Sequence, residues 1–294
     1  MLTFSVIIPT FNRREKLLTC LDSLYDQTFS SSKFEIVVVD DASTDGTYEE
    51  LSSHKITLLK CKKHLGRSKA RNFGADNASG KYLVFTDSDC IAPKNWLEKL
   101  EQAYQTDEPG IAGAGGNVIN KSTSIFGRYE KHVFAKYVKS NKSYVSIDRD
   151  EAPFALGNMS YLRSAFLNVG GFNEKIPDFV SHEDADLKER LIKLRKKFVY
   201  IPVSIIHNHD FGLLNFISQS LQRGAGMLLD SKKKGKLQSR LSILLRILVS
   251  PYYLIKSLVE FKFDLGMAFC DTIFYFFRNV GKLKYYSKVE RIKI

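Results

Sequence analysis

Two aspartates, Asp87 and Asp89, directly follow a short apolar run, YLVF, that ends at residue 85. A run of this length and composition is typical of a strand buried on both faces of a parallel sheet. Ligands of open α/β sheets bind beyond the carboxyl ends of the strands, so these two acids lie where a site is expected. Two carboxylates one residue apart can hold a hard cation through oxygen ligands. The alternative is a pair of solvated turn acids that cap the next helix.

Charged side chains also follow two other predicted strands. Asp40 and Asp41 close one of them, and a basic, glycine-containing loop with Arg67 and Arg71 follows the strand predicted over residues 56–59. A nucleoside diphosphate would suit this set, with its base and ribose near the acid pair and its phosphates near the arginines. A divalent ion at the first pair of aspartates would bridge the phosphates. For the loop, a solvated basic face is the alternative.

A second acidic cluster, with Glu183 and Asp184, opens a strongly patterned helix. Acids in a first turn are stabilised by the helix dipole, so helix stabilisation alone explains them as well as catalysis does. His207 and His209 follow the last predicted strand of the sheet. Either histidine could be a metal ligand, although a surface histidine is the commoner case.

An alternation of strands and helices positions these residues. Strands are predicted over residues 4–10, 36–39, 56–59, 82–85 and 200–206, and the first four alternate with amphipathic helices. This order predicts an α/β protein with a mostly parallel, doubly wound sheet. The first strand is followed by PTFNRR rather than by G-x-G-x-x-G, and a P-loop motif is absent. The motifs of dinucleotide oxidoreductases and P-loop NTPases are therefore missing.

Three local expectations follow from residue types. Ser43 or Thr44 is predicted to cap the second helix. Residues 117–119, after a glycine-rich stretch, are predicted to form a short edge strand. Another helix is predicted to end at the pair Gly170 and Gly171, because glycine favours the backbone conformation that ends helices.

Composition is that of a soluble globular protein of 294 residues, with a formal net charge of +12. The charge is concentrated in residues 231–294, where 14 lysines and arginines face four acids, a net charge of +10. The remainder is nearly balanced, so no nucleic-acid partner is expected. The four cysteines lack metal or disulfide spacing and are expected to be reduced thiols in the cytosol. No signal peptide is predicted, because the N-terminus enters a strand at once.

The basic C-terminal region contains apolar stretches that charged residues interrupt, and neither reaches the length of a membrane span. Its composition predicts helices that lie on an anionic membrane. The alternative is a basic helical subdomain packed on the core or on a second subunit. Gly224 and Gly226 are predicted to interrupt a helix over residues 211–229.

Six motifs in order resemble the family 2 glycosyltransferases with the GT-A fold. They are SVIIPTFNR, VVVDDASTDGT, GRSKARNFGADNASGKYLVFTDSD, ALGNMSYLR, VGGF and HEDADL, within residues 3–210. The resemblance implies an inverting, hexosyltransferase-type enzyme. Such an enzyme transfers a sugar from a nucleotide-activated donor, most often a UDP-sugar, with Mg²⁺ or Mn²⁺ as cofactor.

The resemblance also assigns residues to the donor site. It places Pro9 and Phe11 in the nucleobase pocket, where Phe11 would stack on the base. Asp41 would accept a hydrogen bond from the base imide, with Asp40 beside it. Asp87 would face the ribose or the donor sugar and lie at the metal.

For the metal and the reaction, the resemblance points to Asp89 as the ligand of the ion that bridges the diphosphate. His207, or in second place His209, matches a histidine ligand found in some members of the family. Asp184, beside Glu183, matches the general base that takes the proton of the acceptor hydroxyl. The segment that would line the acceptor side is Gly170, Gly171 and Phe172.

The sequence therefore predicts a nucleotide-sugar-binding catalytic domain over residues 1–210 and a helical region over residues 211–294. The expected acceptor is a lipid-linked or polysaccharide glycan, and the expected location is the cytoplasmic face of the cell membrane. A nucleotidyltransferase is an alternative, but PTFNRREK lacks the glycines that usually follow its first strand. A non-catalytic sugar-nucleotide-binding protein is another. The oligomeric state stays open.

Overall fold

The computed structural model describes residues 2–135, 142–146, 156–208, 212–262 and 264–292. The chain forms two compact units. The sheet unit consists of Met1–Lys121, Phe134–Asn173 and Asp184–His209, and the helical unit of Ser122–Val133, Glu174–Glu183 and Asp210–Ile294. The chain therefore passes between the two units several times.

Within the described residues, the sheet unit is built on a nine-stranded mixed sheet. Its strands are β1 (Phe4–Thr10), β2 (Phe34–Asp40), β3 (Thr57–Lys60), β4 (Tyr82–Phe85), β5 (Cys90–Ile91), β6 (Ile111–Asn120), β7 (Tyr144–Ser146), β8 (Met159–Leu162) and β9 (Lys197–His207). The strand order is β3-β2-β1-β4-β8-β6-β9-β5, and β7 pairs with β9. Strands β3, β2, β1 and β4 are parallel, β8 is antiparallel to both of its neighbours, and β6 and β9 are again parallel.

The α-helices in chain order are α1 (Arg14–Tyr25), α2 (Thr47–Leu51), α3 (Arg67–Asp76), α4 (Trp96–Tyr104), α5 (Ile125–Ala135), α6 (Arg163–Asn168), α7 (Glu183–Lys193), α8 (Leu213–Lys233), α9 (Arg240–Leu248), α10 (Tyr253–Glu260) and α11 (Leu265–Arg291). Successive residues of β1 belong to different cores. Val6 and Ile8 pack with Leu17 and Leu21 of α1, whereas Ile7 packs with the core on the other face of the sheet. Burial on both faces explains why β1 is a continuous apolar run rather than an alternating one.

The predicted edge strand at residues 117–119 is wrong. These residues belong to β6, which has ten residues and lies between β8 and β9. The glycines of β6 are required there, because a Cβ at Gly115 would clash with the backbone of Asn158 and one at Gly116 with the carbonyl of Val203. Close backbone contact therefore explains the glycine-rich composition.

The predicted cap at Ser43 or Thr44 is also wrong. Helix α2 begins at Thr47, and its N-cap is Gly46, whose φ of 80° suits glycine. Ser43 and Thr44 are hydrogen-bonded to Asn12 instead. The two serine/threonine hydroxyls thus join the loop after β1 to the loop after β2.

Helix α8 of the helical unit is continuous, so the interruption predicted at Gly224 and Gly226 is wrong. A Cβ at Gly224 would clash with the carbonyl of Arg278, and a Cβ at Gly281 with the carbonyl of Leu221. These glycines therefore allow α8 and α11 to pack backbone against backbone. The predicted C-terminal helical extension is confirmed.

Among the helices that the structure describes, none is by itself long and apolar enough to span a membrane. Helix α9 and the following segment Ser250–Glu260 are long and apolar enough only when taken together, and a bend of 50° lies between them.

Candidate functional site

Asp87 and Asp89 lie in the turn between β4 and β5, beyond the carboxyl end of β4. The Asp89 side chain is only 1% exposed. Its backbone is fixed by β9, because the carbonyl of Asp89 accepts a 2.7 Å hydrogen bond from the N–H of Asn208. Cys90 also pairs with His207 in the β5–β9 ladder. The end of β9 therefore holds the acidic turn in place.

Both carboxylate oxygens of Asp89 contact nitrogen atoms. Arg13 Nη1 lies 2.5 Å from Oδ2, and His207 Nε2 lies 3.1 Å from Oδ1. The structure thus brings together Asp89 and His207, two of the residues expected to bind one metal ion. His209, the second histidine of that prediction, lies outside the described residues. Over the described part of the chain, no group of three or more His, Cys, Asp and Glu residues is arranged to hold a metal.

Asp87 contacts the basic helix α3. Its Oδ1 accepts a 2.7 Å hydrogen bond from Nη2 of Arg71, whose side chain is buried. A Cβ at Gly157 would lie 3.5 Å from Asp87 Oδ2 and 3.3 Å from Cys90 Sγ, so glycine leaves the space beside this carboxylate free. Arg67, the first residue of α3, is half-buried. Both arginines expected at the phosphates therefore lie on the helix that contacts Asp87.

The acids that close β2 are both buried and order the loops around them. Asp41 accepts hydrogen bonds from the N–H groups of Leu65, at 2.6 Å, and Gly66, at 2.9 Å. His64 Nδ1 lies 2.9 Å from the same carboxylate. Asp40 Oδ1 accepts a 3.0 Å hydrogen bond from the N–H of Ser43. Asp41 thus fixes the loop that precedes α3, and its contact with a base imide stays a prediction.

Two rings lie side by side at the predicted nucleobase pocket. The centroids of Phe11 and His64 are 4.4 Å apart, with 36° between the ring planes. The Phe11 side chain is exposed, and Pro9 is half-buried within β1. Since His64 also contacts Asp41, an aromatic surface lies beside a hydrogen-bond acceptor. Aromatic rings and hydrogen-bond acceptors can bind a planar nucleobase, and that role stays a prediction here.

Asp184 lies in the first turn of α7 and is partly exposed. Its Oδ1 accepts a 2.8 Å hydrogen bond from the N–H of Ala185, and Nζ of the buried Lys188 lies 3.8 Å from Oδ2. Burial, followed by the charge of Asp184, raises the pKa of Tyr161 well above its ordinary value. Glu183 is buried, and its carboxylate accepts a 3.1 Å hydrogen bond from the N–H of His182. Asp184 is therefore the more accessible acid of the pair.

The glycine pair ends helix α6, as predicted. Gly170 and Gly171 have φ angles of 77° and 65°, and the N–H of Gly171 bonds to the carbonyl of Phe166. Phe172 follows, and Asn72 holds its backbone through two hydrogen bonds of 2.9 Å. The Phe172 ring is buried in the core, and the acceptor-side role of this segment stays a prediction.

Sequence reasoning missed Arg13, Gly157 and Lys188 as parts of this site. Local sequence patterns could have indicated Gly157 and Lys188. Gly157 lies in the motif ALGNMSYLR, and Lys188 is four residues after Asp184, on the same helical face. Arg13 directly follows PTFN but gives no sign of its partner, which is 76 residues away.

The family model described as glycosyl transferase family 2 matches residues 5–170, more than half of the chain. The chain belongs to this family. The matched segment includes the aspartates after β2 and β4, and Asp184 and His207 follow it.

Relatives in this family come from bacteria and archaea. The glycosyltransferase AglE of Haloferax volcanii is 36% identical over 119 residues, which are 39% of this chain and 38% of AglE. The amylovoran biosynthesis glycosyltransferase AmsB of Erwinia amylovora is 29% identical over 227 residues, 71% of this chain and 70% of AmsB. The chain thus matches well under half the length of AglE.

The fold is similar to that of the mannosyltransferase PcManGT from Pyrobaculum calidifontis, solved with GDP-Man and Mn²⁺. The TM-score is 0.64 at 17% identity, and the match covers 96% of this chain and 87% of PcManGT. This likeness confirms the predicted fold class, a GT-A α/β sheet flanked by helices with a C-terminal helical extension.

Proposed function

We propose that this family 2 protein transfers a sugar from a nucleotide-diphosphate donor to an acceptor hydroxyl, with inversion at the anomeric carbon. The observation that carries the proposal is the convergence of Arg13 and His207 on the buried carboxylate of Asp89. A buried acid that contacts nitrogen atoms of Arg13 and His207, beyond the end of a sheet strand, suits a diphosphate with its counter-ion. The family resemblance favours a UDP-sugar.

The residues present fit a divalent metal ion. A carboxylate and an imidazole whose nearest atoms are 3.1 Å apart can both ligate one ion, and oxygen with nitrogen donors suits Mn²⁺ or Mg²⁺. Asp89 and His207 would hold the ion directly, and Asp87 lies in the same turn. Such an ion neutralises the charge that develops on a departing diphosphate. The Mn²⁺ of PcManGT supports this choice.

Asp184 is proposed as the general base. Its partly exposed carboxylate can accept the proton of an acceptor hydroxyl as that oxygen attacks the anomeric carbon. Arg71 and Arg13 carry the positive charge that would orient the diphosphate leaving group.

For the acceptor, we propose a lipid-linked or polysaccharide glycan, and for the location, the cytoplasmic face of the cell membrane. The name of AmsB, an enzyme of amylovoran biosynthesis, supports a surface polysaccharide. The concentration of positive charge in residues 231–294 supports an anionic membrane surface.

The test is nucleotide release from a panel of UDP-, GDP- and dTDP-sugars with Mn²⁺ or Mg²⁺, with membrane extract as the source of acceptor. Wild type is compared with Asp89→Ala, Asp184→Asn and Asp107→Asn, an exposed acid that serves as the matched control. We expect release from one donor, lost with EDTA and in the first two variants only. Loss of a general base reduces the rate by about 10²–10⁴-fold. Full activity of Asp184→Asn would overturn the assignment of the base.

A further inference from the structure

The helical unit carries an exposed row of apolar side chains, here called the apolar ridge. Its members follow one another in steps of three and four residues through α9, the 3₁₀ turn Ser250–Tyr252 and α10, and each is between 54% and 76% exposed. They are Leu241, Leu245, Leu248, Tyr252, Ile255 and Val259. Steps of three and four keep side chains on one helical face, so the ridge is one continuous surface feature.

The opposite face of these helices is fixed to the rest of the helical unit. Ile243 is fully buried in a cluster with Leu228 and Val289. Ser257 is fully buried as well, and its hydroxyl donates a 2.7 Å hydrogen bond to Asp271. The two helices are therefore anchored through one face and present the ridge on the other.

The segment that carries the ridge is rich in positive charge. Residues 231–262 contain eight lysines and arginines and a single acid, Glu260. Arg246 and Lys256 lie within the ridge helices themselves and are exposed. A partner for this surface must accept branched aliphatic side chains and also offset a dense positive charge.

We propose that the apolar ridge inserts into one leaflet of an anionic lipid bilayer, with the surrounding basic residues at the lipid headgroups. Amphipathic, basic helices bind such surfaces through apolar burial together with charge attraction. A second copy of this chain fits less well, because it would bring two basic surfaces together. The face that is anchored by Ile243 and Ser257 favours a segment that lies along the surface of a bilayer over one that crosses it. The inference deepens the proposed function, and its link to a lipid-linked acceptor rests on that function.

The experiment is flotation of the full chain with phosphatidylcholine vesicles, with or without phosphatidylglycerol. The ridge variant carries Leu248→Gln and Ile255→Gln. The matched control carries Leu167→Gln and Leu194→Gln, two exposed leucines of the sheet unit. We expect the ridge variant to lose at least about tenfold in partitioning onto anionic vesicles, because each substitution replaces apolar methyl and methylene groups with a polar carboxamide that is costly to bury in lipid. The control should partition like wild type.

A charge variant, Arg246→Gln with Lys256→Gln, tests the second half of the proposal. It should weaken binding to anionic vesicles by about tenfold or more and leave binding to neutral vesicles unchanged. Wild type that floats with neither vesicle, or a ridge variant that floats like wild type, would overturn the proposal. The proposal would also be overturned if wild type bound no vesicle, formed a dimer, and became a monomer in the ridge variant. A second copy of the chain would then cover the ridge. Flotation needs no sugar donor. A wild type that releases nucleotide but does not float would therefore overturn the ridge proposal and leave the proposed function intact.

Discussion

The carboxylate of Asp89 is almost fully buried, and a buried charge is costly unless it is paired and hydrogen-bonded. Arg13 and His207 provide its partners. Arg13 is 43% exposed and lies on a loop, so it can leave at a lower cost than a buried partner. The divalent ion expected at Asp89 must compete with this guanidinium.

This competition predicts that Arg13→Gln binds Mn²⁺ more tightly than wild type in the absence of donor. Because the Arg13 side of the pair is 43% exposed and solvent screens it, we expect a gain of about tenfold, equivalent to about 1.4 kcal/mol. Isothermal titration with Mn²⁺ measures it without turnover. The control is Arg14→Gln, a neighbouring arginine paired with Glu15, which should leave the affinity unchanged. Equal affinities in wild type and Arg13→Gln would exclude the competition.

Lys282 predicts a pH dependence of stability. Burial, with the charges of Arg278 and Arg246, lowers its pKa from 10.5 to about 8. The unfolded state therefore holds its proton to higher pH than the folded state. Stability should rise with pH from about pH 8 to about pH 10.5, and below pH 8 the cost of the buried charge is fully present.

Urea unfolding at pH 7 and pH 9.5 tests this. Wild type should gain about 1–2 kcal/mol relative to Lys282→Met between these two values, since each pKa unit corresponds to about 1.4 kcal/mol. Lys284→Met, an exposed lysine on the same helix, should respond to pH like wild type. If Lys282→Met shows the same change in stability between pH 7 and pH 9.5 as wild type, the effect comes from other groups.

At the site, local sequence predicted acids and a histidine but not their partners. Asp89 and His207 were predictable because both follow apolar strands, and strand ends meet at one edge of a sheet. The Arg13–Asp89 pair joins residues 76 apart, and its formation depends on the order of β1 and β4 in the sheet. The predicted roles of Asp184, Phe11 and Asp41 stay predictions.

At the scale of elements, strands with two buried faces were the most predictable. Strands β1, β2 and β4 are continuous apolar runs, and their predicted bounds differ from the observed ones by at most two residues. Strand β6 was not predictable because glycine has a low strand propensity, whereas here close neighbours require it. The prediction of the α2 cap was wrong for a related reason. Ser43 and Thr44 form hydrogen bonds with Asn12, more than 30 residues away.

The close contact between α8 and α11 predicts that replacing one of its glycines by alanine destabilises the protein, the opposite of the usual effect in a helix. Alanine in place of a glycine inside a helix normally stabilises it, by up to about 1 kcal/mol. Gly224→Ala should instead lower the free energy of unfolding by about 1–3 kcal/mol, because its Cβ would clash with the carbonyl of Arg278. Thermal and urea unfolding measure the change. Gly212→Ala is the control, because a Cβ there meets no atom within 4 Å; as the N-cap of α8 it should lose only the capping preference of glycine over alanine, about 0.5–1 kcal/mol.

At the scale of the whole molecule, the two units alternate along the chain. The helical unit draws on the short segment Glu174–Glu183 as well as on the C-terminal helices. Within that unit, Ile176 and Val180 are buried in one cluster with Ile243, Tyr286 and Val289. The C-terminal region therefore covers apolar residues that come from the middle of the sequence.

This arrangement predicts that a chain cut after residue 230 does not behave as a stable catalytic domain. Ile176 and Val180 would lose the neighbours supplied by α9 and α11, and each exposed side chain costs about 1.5–3 kcal/mol. For a domain of this size the loss corresponds to a fall of about 10 °C or more in Tm.

Circular dichroism melts and size-exclusion chromatography of the cut chain test it, beside the full chain carrying the Leu248→Gln and Ile255→Gln substitutions. That full-length variant changes only exposed side chains and should keep the wild-type Tm, so a matching fall in both proteins would point to the ridge rather than to the lost cluster. A cut chain that is monomeric with the wild-type Tm would show instead that residues 1–230 need no cover from the C-terminal helices.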